Sequence, residues 1–245
     1  MSNAKLVRKL AQKKFRNELK LFVAEGLRLC EEVPPALIEF GFYTREFLSE
    51  ERARLLVNRL KNLEEISAST MEKISDTQTP QGILLVVRQR LSTLEEVLGK
   101  KIIVTLDGVQ DPGNVGTILR TAAAFDCGVI LLDGSAEIFN PKVVRSSMGA
   151  IFYTPITTMS RADFLRLNVE ILAAAVDTSA EIYWRHNFAQ QSAIVFGSEA
   201  NGVSKEILDA AQKIFIPMTG HAESLNVATS AAIILSEAVR QSEIL

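Results

Sequence analysis

Three polar clusters could carry chemistry: Asn114 with Arg120, Glu199 between two glycines, and Ser224 with Asn226. Arg120 closes the stretch Asn114-Val-Gly-Thr-Ile-Leu-Arg, in which Val115, Ile118 and Leu119 recur at helical spacing. Asn114 sits where an N-cap belongs, after a loop from Asp107 to Gly113 dense in Asp, Gly and Pro. Glu199 lies in Gly197-Ser-Glu-Ala-Asn-Gly202, whose glycines permit positive φ and a close approach of ligand to backbone. Ser224 and Asn226 stand at the start of the last helical segment, where free N–H groups and the dipole favour anionic groups. Plainer roles stay open for each: a surface arginine, a turn glutamate, ordinary caps. His221 beside Glu223 offers a further general base.

Other site chemistries lack their residues. There is no G-x-G-x-x-G and no G-x-x-x-x-G-K-[ST], so dinucleotide and nucleotide fingerprints are missing. Two His and two Cys without ligand spacing argue against zinc, so no metal site is expected. Ser198 lacks the G-x-S-x-G elbow of a nucleophilic serine.

The elements that must position these groups follow from hydrophobic period. After residue 101, apolar runs at Ile102–Leu106, Val129–Leu132, Ile171–Val176, Ala193–Phe196 and Ile214–Ile216 alternate with helical segments. Near-continuous Val/Ile/Leu strands separated by helices predict an α/β fold with a parallel sheet covered on both faces. Shorter alternating elements over residues 1–90 predict a separate small α/β domain. The charged stretch between them predicts a linker at 91–100, with the larger domain over 101–245.

Net charge is only −2, but residues 1–20 hold seven Lys/Arg against one Glu. Residues 4–16 read as one basic amphipathic helix, a phosphate-contacting arm or else a solvated face. Cys30 and Cys127 in apolar surroundings suit a reducing compartment. No apolar run approaches the length of a membrane span and no signal pattern opens the chain, which points to a cytoplasmic protein without a membrane partner.

Taken in order, the polar clusters resemble the three motifs of the SpoU (TrmH) RNA 2′-O-ribose methyltransferases. These are Asn114-x-Gly116-x-x-x-Arg120, Gly197-Ser198-Glu199-x-x-Gly202, and Ile216-Pro217-Met218 followed by Ser224-Leu225-Asn226-Val227-Ala228. Lys142-Val-Val-Arg145-Ser-Ser-Met-Gly149 and Thr79-Pro80-Gln81-Gly82 look like the same family, and Phe22-Val-Ala-Glu25-Gly26 is similar to its L30e/L7Ae-like RNA-binding module. The resemblance implies a SPOUT fold, an α/β sheet whose C-terminal segment is threaded into a trefoil knot. Periodicity does not indicate this, and the rarity of knots would argue against it. It further implies S-adenosyl-L-methionine as methyl donor and a homodimer through the methyltransferase domain. The donor would rest on Phe196, Gly197, Gly202, Ile216, Met218, Leu225 and Val227, with Asn114, Arg120, Glu199, Ser224 and Asn226 at catalytic positions. Structured RNA would be held by Lys9, Lys13, Lys14, Arg16 and Arg145.

The family's proposal makes the motif arginine the proton acceptor, yet a guanidinium is effectively never deprotonated in proteins. Arg120 is better cast as stabiliser of the alkoxide that also grips a phosphate. The expected function is 2′-O-ribose methylation of RNA, ribosomal RNA before tRNA. The rival from another class is a catalytically silent RNA-binding protein of the same fold.

Overall fold

A computed structural model describes residues 3–177, 179–221 and 223–241 of the chain. It contains two compact units. One comprises Met1–Arg90 with Glu137–Phe152, the other Leu91–Ala136 with Tyr153–Leu245.

The first unit is built on a four-stranded sheet of β1 (Leu21–Glu25), β2 (Ile38–Tyr43), β3 (Leu63–Glu65) and β4 (Ile83–Arg88), in the order β1-β4-β2-β3. Central β4 runs antiparallel to both neighbours and buries Ile83 to Val87 on both faces, hence its unbroken apolar reading. Leu84 and Val86 pack with Phe42, Met71 and Ile74 and with Val7 and Leu10 of the first helix.

The single helix expected over residues 4–16 is two helices, Asn3–Leu10 and Lys13–Leu19. The break has a physical cause in Arg16. Its Nη1 donates to the carbonyls of Leu10 (2.8 Å) and Ala11 (2.7 Å), closing off the first helix, whose last carbonyls lack intrahelical partners. Its Nε donates to Glu137 at 3.0 Å and its Nη2 pairs with the same carboxylate.

Residues 137–152 lie in the middle of the domain expected over 101–245, but they belong to this first unit. Phe139 and Phe152 stack on Phe22 at 4.9 and 6.2 Å, and the helix Pro141–Ser146 packs on β1. Such a strap is invisible to a reading that assigns neighbouring residues to one domain.

Among the described residues the second unit carries seven strands: β5 (Ile102–Asp107), β6 (Gly128–Leu132), β7 (Ile156–Met159), β8 (Glu170–Ala174), β9 (Glu181–Ile182), β10 (Ser192–Gly197) and β11 (Gln212–Phe215). Their order is β7-β6-β5-β10-β8-β11-β9, and each neighbouring pair is parallel. The expected linker at 91–100 is part of this unit. Thr93 and Glu96 form a capping box for the helix Leu94–Leu98, and Val97 is buried in the core against Gly128. The edge strands β7 and β9 had no sequence signal: Thr157 and Thr158 break the apolar run of the first, and the second has two residues. Strand order turns back at the β5–β10 pair, where α/β sheets leave a crevice at their carboxyl edge.

Among the described residues no helix is long and apolar enough to cross a membrane. Burial, aided by Glu25, pushes the Cys30 thiol up, and burial with Asp126 pushes that of Cys127 up to about 12. Neither thiol should react with Ellman's reagent at pH 8 in the native protein, and both should react in denaturant. Fast native labelling would contradict the packing. Arg16→Ala would strand a carboxylate that is mostly buried and two carbonyls, at a cost of about 3–5 kcal/mol. Denaturant melts should register that loss. Arg16→Lys should recover only part, because an ammonium cannot span the fork's contacts.

Candidate active site

Three loops leave the carboxyl edge of the second unit's sheet and carry the residues singled out above. After β5, the structure corrects one expectation: the helix starts earlier, at Pro112, and its N-cap is Asp111, which accepts from the Gly113 N–H at 2.8 Å. Asp before a first-turn Pro is a strong start signal. Asn114 is therefore inside the first turn, with its side chain free for other partners.

Its partners come from the other two loops. Asn114 Nδ2 donates to Glu199 Oε1 at 2.7 Å, and Asn226 Nδ2 donates to Asn114 Oδ1 at 3.0 Å. Asn226 is the expected cap: its Oδ1 accepts from the N–H of Ala228 (2.9 Å) and Thr229 (3.3 Å) at the start of helix Val227–Gln241. That capping leaves only the Asn226 NH2 for Asn114, which in turn leaves the Asn114 NH2 for Glu199. The three amide and carboxyl groups are thus oriented in one direction, ending on a carboxylate.

Glu199 is presented by a loop that closes on itself. Ser198 and Gly202 exchange backbone bonds of 3.0 and 2.8 Å, and Gly202 takes φ +68°. A Cβ on Gly197 would lie 2.0 Å from the backbone of Gly202 and Val203, so only glycine fits.

Beside this chain lies a pocket of about 720 Å³. All seven residues expected to hold a donor line it, as do Glu199, Ser224 and Asn226. Ala174, at the end of β8, and Ala175, Val176 and Asp177 after it also line it, and sequence reasoning missed them. The only signal was their position at a strand exit, for they carry no glycine motif. Hydrogen bonds from the Ser179 hydroxyl and N–H hold the Asp177 carboxyl below its usual range, with Lys213 assisting. His221 and Glu223 are exposed and do not line the pocket.

Arg120 is not joined to this chain. It is exposed on the helix Pro112–Ala124, roughly 9 Å along the axis from Asn114 and about 120° round it. In the first unit Lys13 and Lys14 are exposed, and Lys9 lies over the Phe15 ring at 5.0 Å. Arg145 Nη1 pairs with Asp76 at 2.7 Å. The expectation that Arg16 meets RNA is corrected: its side chain is 3% exposed and its donors are spent inside the unit.

Gly197→Ala tests whether the loop closure matters. The added methyl must prise Gly202 away, so we expect a loss of stability beyond about 2 kcal/mol and a misshapen pocket. An unchanged melting temperature would refute the tightness of that approach.

Comparison with known proteins bears on both units. Residues 101–236 match the model of the SpoU rRNA Methylase family, and residues 2–85 match an MRM3-like substrate binding domain. The chain is 33% identical over 239 residues to the 23S rRNA (guanosine(2553)-2′-O)-methyltransferase RlmP of Bacillus subtilis, covering 93% of this chain and 92% of that one. An AdoMet-bound rRNA methyltransferase from Sinorhizobium meliloti superposes with a TM-score of 0.85 at 31% identity, over 99% of this chain and 95% of that one. An RNA methyltransferase of the TrmH family from Porphyromonas gingivalis, described as putative, gives 0.83 at 31% over 99% of both. Motif geometry, matched domains and whole-chain likeness agree, and the chain belongs to the SpoU rRNA methylase family.

Proposed function

We propose that this chain moves a methyl group from S-adenosyl-L-methionine to a ribose 2′-hydroxyl of ribosomal RNA. The observation that carries the reading is the hydrogen-bonded chain Asn226–Asn114–Glu199, two of whose members, Asn226 and Glu199, line the pocket. The names of the Bacillus subtilis and Sinorhizobium meliloti proteins favour ribosomal RNA over tRNA as acceptor.

The pocket suits the donor. Its volume is in the range of small-molecule sites, its walls include Phe196, Ile216, Met218, Leu225 and Val227, and bare backbone at Gly197 and Gly202 allows close approach. When bound, S-adenosylmethionine supplies an electrophilic methyl group on a sulfonium. Glu199 and Asn114 orient the ribose hydroxyl in line with it, and positioning of this kind supplies much of a rate. Ser224, on the pocket wall, adds a hydroxyl contact. Arg120, exposed beyond the pocket, grips an RNA phosphate and steadies the alkoxide as RNA arrives. The proton leaves through water or phosphate rather than through a guanidinium.

The wider reading includes a homodimer through the methyltransferase domain, a trefoil knot in the C-terminal segment and a cytoplasmic location. Lys9, Lys13, Lys14 and Arg145 serve the RNA backbone; Arg16 does not.

The test is transfer of labelled methyl groups to RNA lacking native modifications, with digestion to nucleosides and mass spectrometry. A 2′-O-methyl nucleoside from the ribosomal fraction is expected, and Arg120→Ala should lose about 100-fold or more in turnover. RNA affinity should fall in that variant only by the loss of one phosphate contact, far less than turnover. Methylation confined to tRNA would shift the substrate. A base-methylated product would overturn the mechanism, and no transfer despite donor and RNA binding would favour the silent binder.

A further inference from the structure

We infer that Asp107 is a positioning residue: it holds the Glu199 loop against Asn114 and sets the rate of methyl transfer without touching donor or RNA. The inference rests on the roles given above to Glu199 and Asn114. Asp107 is the last residue of β5, and its side chain is 1% exposed. Its carboxylate is divided between two elements. Oδ1 accepts from Arg161 Nε at 2.6 Å, and Oδ2 accepts from the Ser204 N–H at 2.7 Å.

The second bond gives the residue its leverage. Ser204 precedes the helix Lys205–Ala210 and ends the loop that carries Glu199. The other end of that loop, Gly197, is the register partner of Asp107 in the β5–β10 pair. One residue therefore secures both ends of the loop, by backbone pairing at Gly197 and by side chain at Ser204. The Ser204 hydroxyl is buried without a partner among the described residues, so the amide bond is that residue's polar tie to β5. Asn114 stands on the helix that follows Asp107 in the chain, so both members of the 2.7 Å Asn114–Glu199 bond are anchored at one place.

Arg161 extends the same lacing across the sheet. It begins the short helix after β7, and its Nη2 donates to the Asp133 carbonyl at 3.0 Å, just past β6. The carboxyl ends of β7, β6 and β5 and the loop after β10 are thus tied through the Asp107–Arg161 pair. A buried carboxylate is costly unless paired and hydrogen-bonded, and sheet packing alone does not require a charge there. The two acceptor oxygens of Asp107 let one side chain take an N–H from Arg161 and another from Ser204 at once.

The experiment measures kcat, the KM for S-adenosylmethionine and the KM for RNA in the full chain. The variants are Asp107→Asn, Glu199→Gln and the double variant, with hydrogen exchange followed across 197–204. Asparagine keeps the shape but sets an NH2 against one of two N–H donors. We expect kcat to fall by about 100-fold, more than either KM changes, and exchange across 197–204 to quicken. The double variant should be little slower than the slower single one, because both act through one element. If Asp107→Asn does not fold, Arg161→Gln serves. Arg161 is 35% exposed, and a kcat loss of about 10-fold that does not multiply with Glu199→Gln is expected. Losses that multiply in the double variant, or unchanged exchange across 197–204, overturn the inference. A fully active Glu199→Gln would instead overturn the site reading on which it rests.

Discussion

The parallel pairing of β5 with β10 is the constraint on which the second unit turns. Strands before it in space, β6 and β7, are reached from β5 in one direction, and β8, β11 and β9 lie in the other. At such a reversal the connecting helices diverge and leave a crevice above the sheet. The register sets Gly197 opposite Asp107, so two loops start at the same height from adjacent strands. Glu199 and Asn114 meet because of that shared origin, although they are 85 residues apart in sequence.

Local chemistry then converts proximity into orientation. An asparagine amide has distinct donor and acceptor ends, so a bond at one end decides what the other can do. Asn226 spends its oxygen on a helix start, and every later choice in the chain to Glu199 follows. Capping and site construction are the same act here. Glycine at 197 is required for a related reason, since the loop's return path occupies the volume where a side chain would be.

The first unit is organised by a different economy. Its N-terminal arm is rich in cations, but the one best placed to brace the arm, Arg16, is withdrawn from solvent and used as a structural clasp. The cost of burying a guanidinium is offset by bonds at Nε, Nη1 and Nη2 and by a carboxylate from the 137–152 strap. Lys13 and Lys14 remain exposed.

What the sequence by itself determined is the set of elements with strong local signals. The buried strands were legible as apolar runs, the last helix by its Asn226 cap, and the pocket-lining residues by strand-exit glycines and the SpoU motifs they match. The tertiary structure decided the rest, for reasons that lie beyond neighbouring residues. Whether Asn114 caps a helix or bonds Glu199 depended on Asp111 and on a loop 85 residues away. Arg16 looked like any other cation of the arm, because burial is a property of what folds over a residue and not of its neighbours in the chain. The edge strands β7 and β9 exist only because a partner strand offers them hydrogen bonds. The transfer of residues 137–152 to the first unit followed from aromatic contacts with Phe22, more than 100 positions away, which no period or composition could announce.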